Sequence, residues 1–314
     1  PESGVLFRCR LRCPDLGKLD WLTRQAPWNV TTGMALAGEA EMDLSVFIDA
    51  VSPAGTARLN LADVEVSMPS LSLSLNGING TVNLREILPP VSPPRQTIEF
   101  AEVKLGDMSL GPGLVRLQLT GQGTVLLEEA AVGWAGGELS THAVQIGLLD
   151  PAFSMIIHAG DLDLGRLFRL QNAVEGSGEG RIYGRFPISY RDGQWSYGNG
   201  FLYSVPGRKT KIEIADPKRI TAILPGSDER TRKTAESLRN LNVDVLRFEF
   251  AGEQDPVTAT LRIEGKSAGD PNMPPLRLTT NFEIDSNDLS LAWKAIRKLR
   301  ESHLSPTTER NRAP

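Results

Sequence analysis

The chain has 314 residues, 40% of them hydrophobic and 23% charged, a balance that excludes a wholly disordered chain or a fibre and suits one elongated unit or two ordinary domains. The 38 acidic and 34 basic residues leave a formal charge of -4, with the cations scattered, so the electrostatic footprint of a nucleic-acid binder is missing. No apolar run approaches the roughly 20 residues that a membrane-spanning helix needs, and no charged-then-apolar leader opens the chain.

The chain begins at Pro1, without an initiator Met and already inside a strand-like run, Val5-Leu6-Phe7. A fragment or processed form is therefore expected, with any anchor or export signal upstream. Cys9 and Cys13 follow, four residues apart. On a strand that separation is about 13 Å, beyond disulfide reach, whereas in a helix they would just meet. No other Cys or His cluster offers them partners for a metal.

Asp15-Leu16-Gly17-Lys18-Leu19-Asp20-Trp21-Leu22 reads as a short helix with Asp15 as its N-cap, followed by a glycine-marked strand entry from Thr32 to Gly38. The same pattern returns as Asp163-Leu164-Gly165-Arg166-Leu167-Phe168-Arg169-Leu170, with Ser177 to Gly184 behind it, and more weakly from Asp288. Between these echoes, period-two alternation dominates. It runs through Leu59, Leu61, Val64 and Val66, then Leu71, Leu73 and Leu75, and after the Pro-rich segment Pro89–Pro94 through Ile98 and Phe100. It continues through Val115, Leu117 and Leu119, Val125 and Leu127, Ile212 and Ile214, Leu261 and Ile263, and Leu276 and Leu278. With Asn-Gly, Gly-Asn-Gly and Asp-Gly as turn signals, an antiparallel meander is expected.

From Val243 to Phe250 the apolar parity switches, from Val243 and Val245 to Leu246, Phe248 and Phe250, as one inserted residue in a β-bulge would cause. Asp228 to Leu241 reads as a polar helix, and Asp288 to Glu301 as an amphipathic one with Leu289, Trp293, Ile296 and Leu299 on its stripe. Ser302 to Pro314 reads as a disordered tail. The predicted fold is mainly β: an elongated, strongly curved antiparallel sheet forming an open groove, punctuated by short capping helices and ending in an amphipathic helix.

Catalytic chemistry finds little purchase in these residues. Gly176-Ser177-Gly178-Glu179-Gly180 lacks the following helix that a dinucleotide loop requires, and its glycines suit a tight turn or a close backbone approach. Gly207-Arg208-Lys209-Thr210 lacks the upstream glycine of a phosphate loop and reads as a solvated hairpin end. His142, His158 and His303 stand apart in sequence, and Asp161 and Asp163 are explained by helix capping. No cofactor, metal or catalytic residue is predicted. An apolar stripe on many strands is usually the inside of a sandwich, but no second sheet is visible to cover this one.

The Asp-Leu helices that lead into glycine-marked strands resemble those of AsmA-like bacterial envelope proteins. The later half resembles the YdbH-type C-terminal domain in the order of Asp163–Leu167, Gly176–Gly180, Phe186-Pro187-Ile188, Asp192-Gly193, Gly198-Asn199-Gly200, Val205-Pro206-Gly207, Leu261–Gly265 and Leu276–Ile284. Lys266-Ser267 stands where that family has Asn-Pro. The resemblance divides the chain into an upstream β-repeat at 1–90, a groove domain at 91–301 and the tail at 302–314.

It implies non-enzymatic phospholipid transport between inner and outer membranes, a periplasmic location, an inner-membrane anchor upstream, and a small outer-membrane lipoprotein added as a strand at the sheet edge. A groove for lipid is expected to be lined by Leu71, Leu73, Leu75, Ile98, Phe100, Val115, Leu117, Leu119, Leu246, Phe248, Phe250, Leu261, Ile263, Leu276 and Leu278. Two acyl chains of roughly 30 methylenes would cost about 24 kcal/mol to expose to water, so an unbroken stripe is needed. The competing expectation is a structural or adhesive envelope protein with a closed apolar core.

Overall fold

Alternation of apolar and polar residues favours extended backbone with one face turned from water, and strands dominate the computed structural model. It describes residues 5–19, 34–48, 53–69, 72–106, 108–121, 123–147, 152–170, 176–191, 194–215, 236–252, 257–269 and 273–284. In chain order these hold β1 (Val5–Cys13), β2 (Ala35–Ile48), β3 (Pro53–Met68), β4 (Leu73–Leu84), β5 (Glu86–Ile87), β6 (Pro90–Val91), β7 (Gln96–Phe100), β8 (Glu102–Leu105), β9 (Met108–Leu110) and β10 (Gly113–Leu119). Then come β11 (Thr124–Trp134), β12 (Gly137–Gly147), β13 (Phe153–Asp163), helix α1 (Leu164–Leu170), β14 (Gly176–Glu179), β15 (Arg181–Arg191), β16 (Gln194–Ser204), β17 (Lys211–Ile214), β18 (Leu241–Gly252), β19 (Val257–Ser267) and β20 (Leu276–Ile284).

One antiparallel sheet takes in 18 of the strands, and β5 and β6 pair separately. Its path runs β1-β2-β3-β4, from β4 to both β7 and β8, then β7-β10-β11-β12-β13-β15-β16-β18-β19-β20. Among the described residues β1 pairs only with β2, and β20 only with β19, so the sheet has two free edges and does not close.

The parity switch in β18 is a bulge, for the register slips between Val243 and Val245 and leaves Asp244 unpaired against β19. A second one lies in β3, where Asp63 at φ 48° lets Leu61 and Val64 share a face despite their odd spacing. The Asn-Gly and Gly-Asn-Gly signals, by contrast, are not turns. Asn76-Gly77 and Asn79-Gly80 lie inside β4, where Gly77 at φ 64° makes another irregularity, and Gly198-Asn199-Gly200 lies inside β16. Gly200 is required there for close approach, since a Cβ would run into the Phe250 ring, which crosses it to stack on Phe186 at 5.1 Å.

Both sequence echoes fold as short helical turns capped by their aspartates. Asp15 Oδ1 accepts the Gly17 N–H at 3.0 Å before the 3-10 turn Leu16–Leu19, and Asp163 Oδ1 accepts the Arg166 N–H at 2.8 Å before α1. Such caps contribute about 1 kcal/mol each. An even number of antiparallel steps separates β1 from β13, so the two strands run the same way and both turns stand at the same end of the strands.

The Pro-rich segment is hydrogen-bonded to neighbouring strands. Ser92 exchanges bonds with Leu119, and the buried Gln96 accepts the Asn83 N–H at 2.8 Å while donating to the Pro93 and Pro94 carbonyls. Most of the predicted helix from Asp228 lies outside the described residues. Glu236 and Ser237 are helical as expected, but the helix stops short of Leu241, which is fully buried and opens β18 by pairing with Ser267. The helix from Asp288, the segment 302–314, Leu71 and Asp192-Gly193 also lie outside the described residues.

Candidate functional site

Directly opposed residues of an antiparallel ladder point to the same face. Following partners from strand to strand, one line crosses ten strands without a break: Phe100, Gly113, Val132, Leu139, Ala159, Gly184, Leu202, Phe248, Leu261 and Thr280. Nine of the ten are apolar or glycine. At the usual interstrand spacing the line is about 43 Å long.

Parallel lines repeat the pattern on the same face. Ile98 opposes Val115, Leu117 opposes Leu127, Leu119 opposes Val125, and Leu246 opposes Ile263 and, through it, Leu278. Further along, Leu11, Met42, Leu59 and Val82 form another line, and Leu36, Val66, Leu75, Val103 and Leu110 a third.

Every described residue of the predicted stripe therefore falls on one face: Leu73, Leu75, Ile98, Phe100, Val115, Leu117, Leu119, Leu246, Phe248, Phe250, Leu261, Ile263, Leu276 and Leu278. The alternation missed Val132, Leu139, Phe186 and Leu202, which complete the same face. Gly113, Ala159, Gly184 and Gly200 interrupt the apolar rhythm around them, and only the register reveals the continuity.

The opposite face is polar. The line beside the ten-strand one reads Glu99, Leu114, Ala131, Ser140, His158, Arg185, Phe201, Glu249, Thr260 and Asn281. Exposed pairs knit it at other places, as between Arg10 and Asp43 at 2.6 Å, and each such pair contributes at most about 1 kcal/mol. Glu102 is held below the usual carboxylate range, first by the Ser109 hydroxyl and then by Lys104.

Burial along the apolar face is uneven. Near α1 it is covered, and Ala159, Leu162, Leu164, Ile182, Ile212, Leu238, Leu241, Val243, Ile263 and Leu276 form a packed core. Gly178 in β14 allows this cover, because a Cβ there would stand 2.6 Å from Leu164 Cγ. Leu202, Leu246, Leu261 and Leu278 are half-exposed but still pack against this core, whereas Val115, Leu117, Leu119, Phe248 and Phe250, away from it, are only half-buried. Among the described residues, the only strands outside the main sheet are the short β5 and β6.

The other sequence features resolve locally. Gly176 to Glu179 is strand β14, Lys209 in the exposed turn pairs with Glu179 at 2.9 Å, and His142 and His158 are exposed on β12 and β13. Cys9 and Cys13 are free thiols on β1, pointing to the apolar face opposite Leu44 and Ala40. Among the described residues no metal-binding cluster forms, and no helix is long and apolar enough to cross a membrane.

No curated protein and no solved structure matches the chain. The profile of the YdbH-like family, described as intermembrane phospholipid transport protein YdbH, matches residues 25–274, which takes in nearly all of the two-faced sheet. The chain belongs to the YdbH-like family of intermembrane phospholipid transport proteins.

Proposed function

We propose that the chain carries phospholipid between the inner and outer membranes by laying acyl chains along its apolar face, which acts as an open groove. The observation that carries this reading is the unbroken line of apolar or glycine residues from Phe100 to Leu261, only half-buried away from α1. Half-burial favours an open groove over a closed sandwich, whose inner face would be sealed by a second sheet.

Register slips between β2 and β3, β3 and β4, β10 and β11, β13 and β15, β15 and β16, β16 and β18, and β18 and β19 supply the bends that an elongated, curved sheet needs. The groove residues are those of the predicted stripe together with Val132, Leu139, Phe186 and Leu202. In this reading the protein is not an enzyme. It works in the periplasm, held to the inner membrane by an upstream segment, with 1–90 extending the groove of 91–301. The free edge of β20 offers a small lipoprotein a place to add a strand.

Native mass spectrometry with lipid extraction, on the chain expressed in a bacterial envelope, tests this reading. Bound phospholipid is expected. A folded, lipid-free protein would favour a structural role with a dry core instead.

A further inference from the structure

The polar face carries a patch that lipid transport does not use. Tyr183, Phe201 and Tyr203 stand side by side, with ring centroids 6.2 Å apart for Tyr183 and Tyr203 and 5.9 Å apart for Phe201 and Tyr203. The guanidinium carbons of Arg185 and Arg247 lie 5.3 and 5.5 Å from the Phe201 centroid. His158 opposes Arg185, and Arg262 opposes Arg247.

Arg185 and Arg247 on one ring, with Arg262 directly opposed to Arg247 across a ladder, bring three like charges together, which a sheet ordinarily avoids. Glu249 holds Arg247 at 2.5 Å and Glu264 holds Arg262, while Arg185 is exposed and has no carboxylate partner among the described residues. Tyr183 donates its hydroxyl to Asp161 at 2.7 Å, a bond that holds its phenol above the ordinary value and keeps it protonated. The patch thus offers flat ring faces, phenolic hydroxyls and cations at its margin.

Lipid in the groove cannot reach this patch, because it faces the other way. A bilayer is a poor match too, since the rings are half-buried within a sheet face and do not project as an amphipathic helix would. A pyranose chain carrying carboxylates fits all three features: apolar C–H faces for the rings, hydroxyls for the phenols and negative charge for the guanidiniums.

We propose that Tyr183, Phe201, Tyr203, Arg185 and Arg247 form a binding site for an acidic glycan of this kind. A wall polymer of pyranose chains whose free carboxylates are carried on attached peptides lies in the path of a protein that works between two membranes, and only this placement rests on the transport reading. Sugar rings stack on Tyr183 and Tyr203, while Phe201 holds the two guanidiniums beside them and Arg185 takes a carboxylate.

The test is co-sedimentation of the full chain with purified peptidoglycan sacculi, together with titration of a soluble disaccharide tetrapeptide. Wild-type binding is expected to weaken as salt rises and to fall about tenfold or more in Arg185→Glu, the scale of one lost charge-assisted hydrogen bond. Tyr203→Ser is expected to reduce binding as well, and an uncharged chitin oligosaccharide to bind about tenfold more weakly than the tetrapeptide. Absence of wild-type binding, or binding untouched by both substitutions, would overturn the proposal. So would patch-dependent binding to phosphatidylglycerol vesicles without binding to sacculi. Lipid occupancy measured on the same Arg185→Glu protein is expected to match wild type, so loss of glycan binding and loss of transport are read separately.

Discussion

Replacing Phe248 or Leu117 by aspartate is expected to strip bound phospholipid from the chain while leaving its strand content unchanged. Phe248 sits within the ten-strand apolar line between Leu202 and Leu261, and Leu117 opposes Leu127 on the same face. A carboxylate there must either lose water against acyl chains, at a cost of several kcal/mol, or hold water in the groove and break the apolar path. Both side chains are half-buried, so in the lipid-free protein the new charge still reaches solvent and the fold survives. Gln145→Asp places the same charge on the exposed polar face of β12 and is expected to keep wild-type lipid. Circular dichroism and lipid extraction on the three variants provide the check. A folded Phe248→Asp protein with full lipid occupancy would show that this face does not carry the chains.

Stability is expected to separate a sealed stretch of the apolar face from an open one. Leu162 has no exposed surface and packs within the cluster that includes Leu164, Ile182, Ile212 and Leu241. Leu162→Ala is expected to cost about 2–5 kcal/mol, the range for a buried leucine whose surroundings cannot collapse. Leu117→Ala, on the half-buried stretch, is expected to cost about 1 kcal/mol, because its side chain already meets solvent. Urea unfolding of both variants checks this. Equal losses would mean that the face near Leu117 is as tightly covered as the core beside α1, which is the behaviour of a closed structural β-protein.

Much of this architecture is legible in the sequence, and the reasons differ by element. The parity switch from Val243 to Leu246 has one simple explanation, an extra residue, and Asp244 is that residue; Val245 then turns to the other face, opposite Glu264. Asp15 and Asp163 precede periodic apolar residues, and both cap helical turns. Alternation alone finds the apolar face only where large residues recur, as in Val115, Leu117 and Leu119. It does not find Leu139, Leu202 or Phe186, whose strand neighbours on the same face include Ala159, Gly184 and Gly200.

Glycine is also why the turn signals misled. Asn-Gly marks a hairpin when both residues need positive φ, but in β4 the ladder continues past Gly77, and in β16 Gly200 serves the Phe250 ring. The polar helix does reach Glu236 and Ser237, but nothing local shows that it gives way to a turn at Leu238 before β18; the burial of Leu238 and Leu241 against α1's cluster decides where it stops. Long-range register, which turns separate stripes into one face, is a property of pairings between strands and has no local signal.

If acyl chains lie on one face of the sheet and not on the other, neighbouring positions along a single strand must differ in their access to lipid. Photo-activatable residues placed singly at Leu117 and Leu261, and at their neighbours Gln118 and Arg262 on the opposite face, read this out in cells whose envelope phospholipid is labelled. Cross-linking to phospholipid at Leu117 and Leu261, with little at Gln118 and Arg262, is the predicted result. Equal cross-linking on both faces, or none at Leu117 and Leu261 in protein that is folded and present at normal levels, would contradict it.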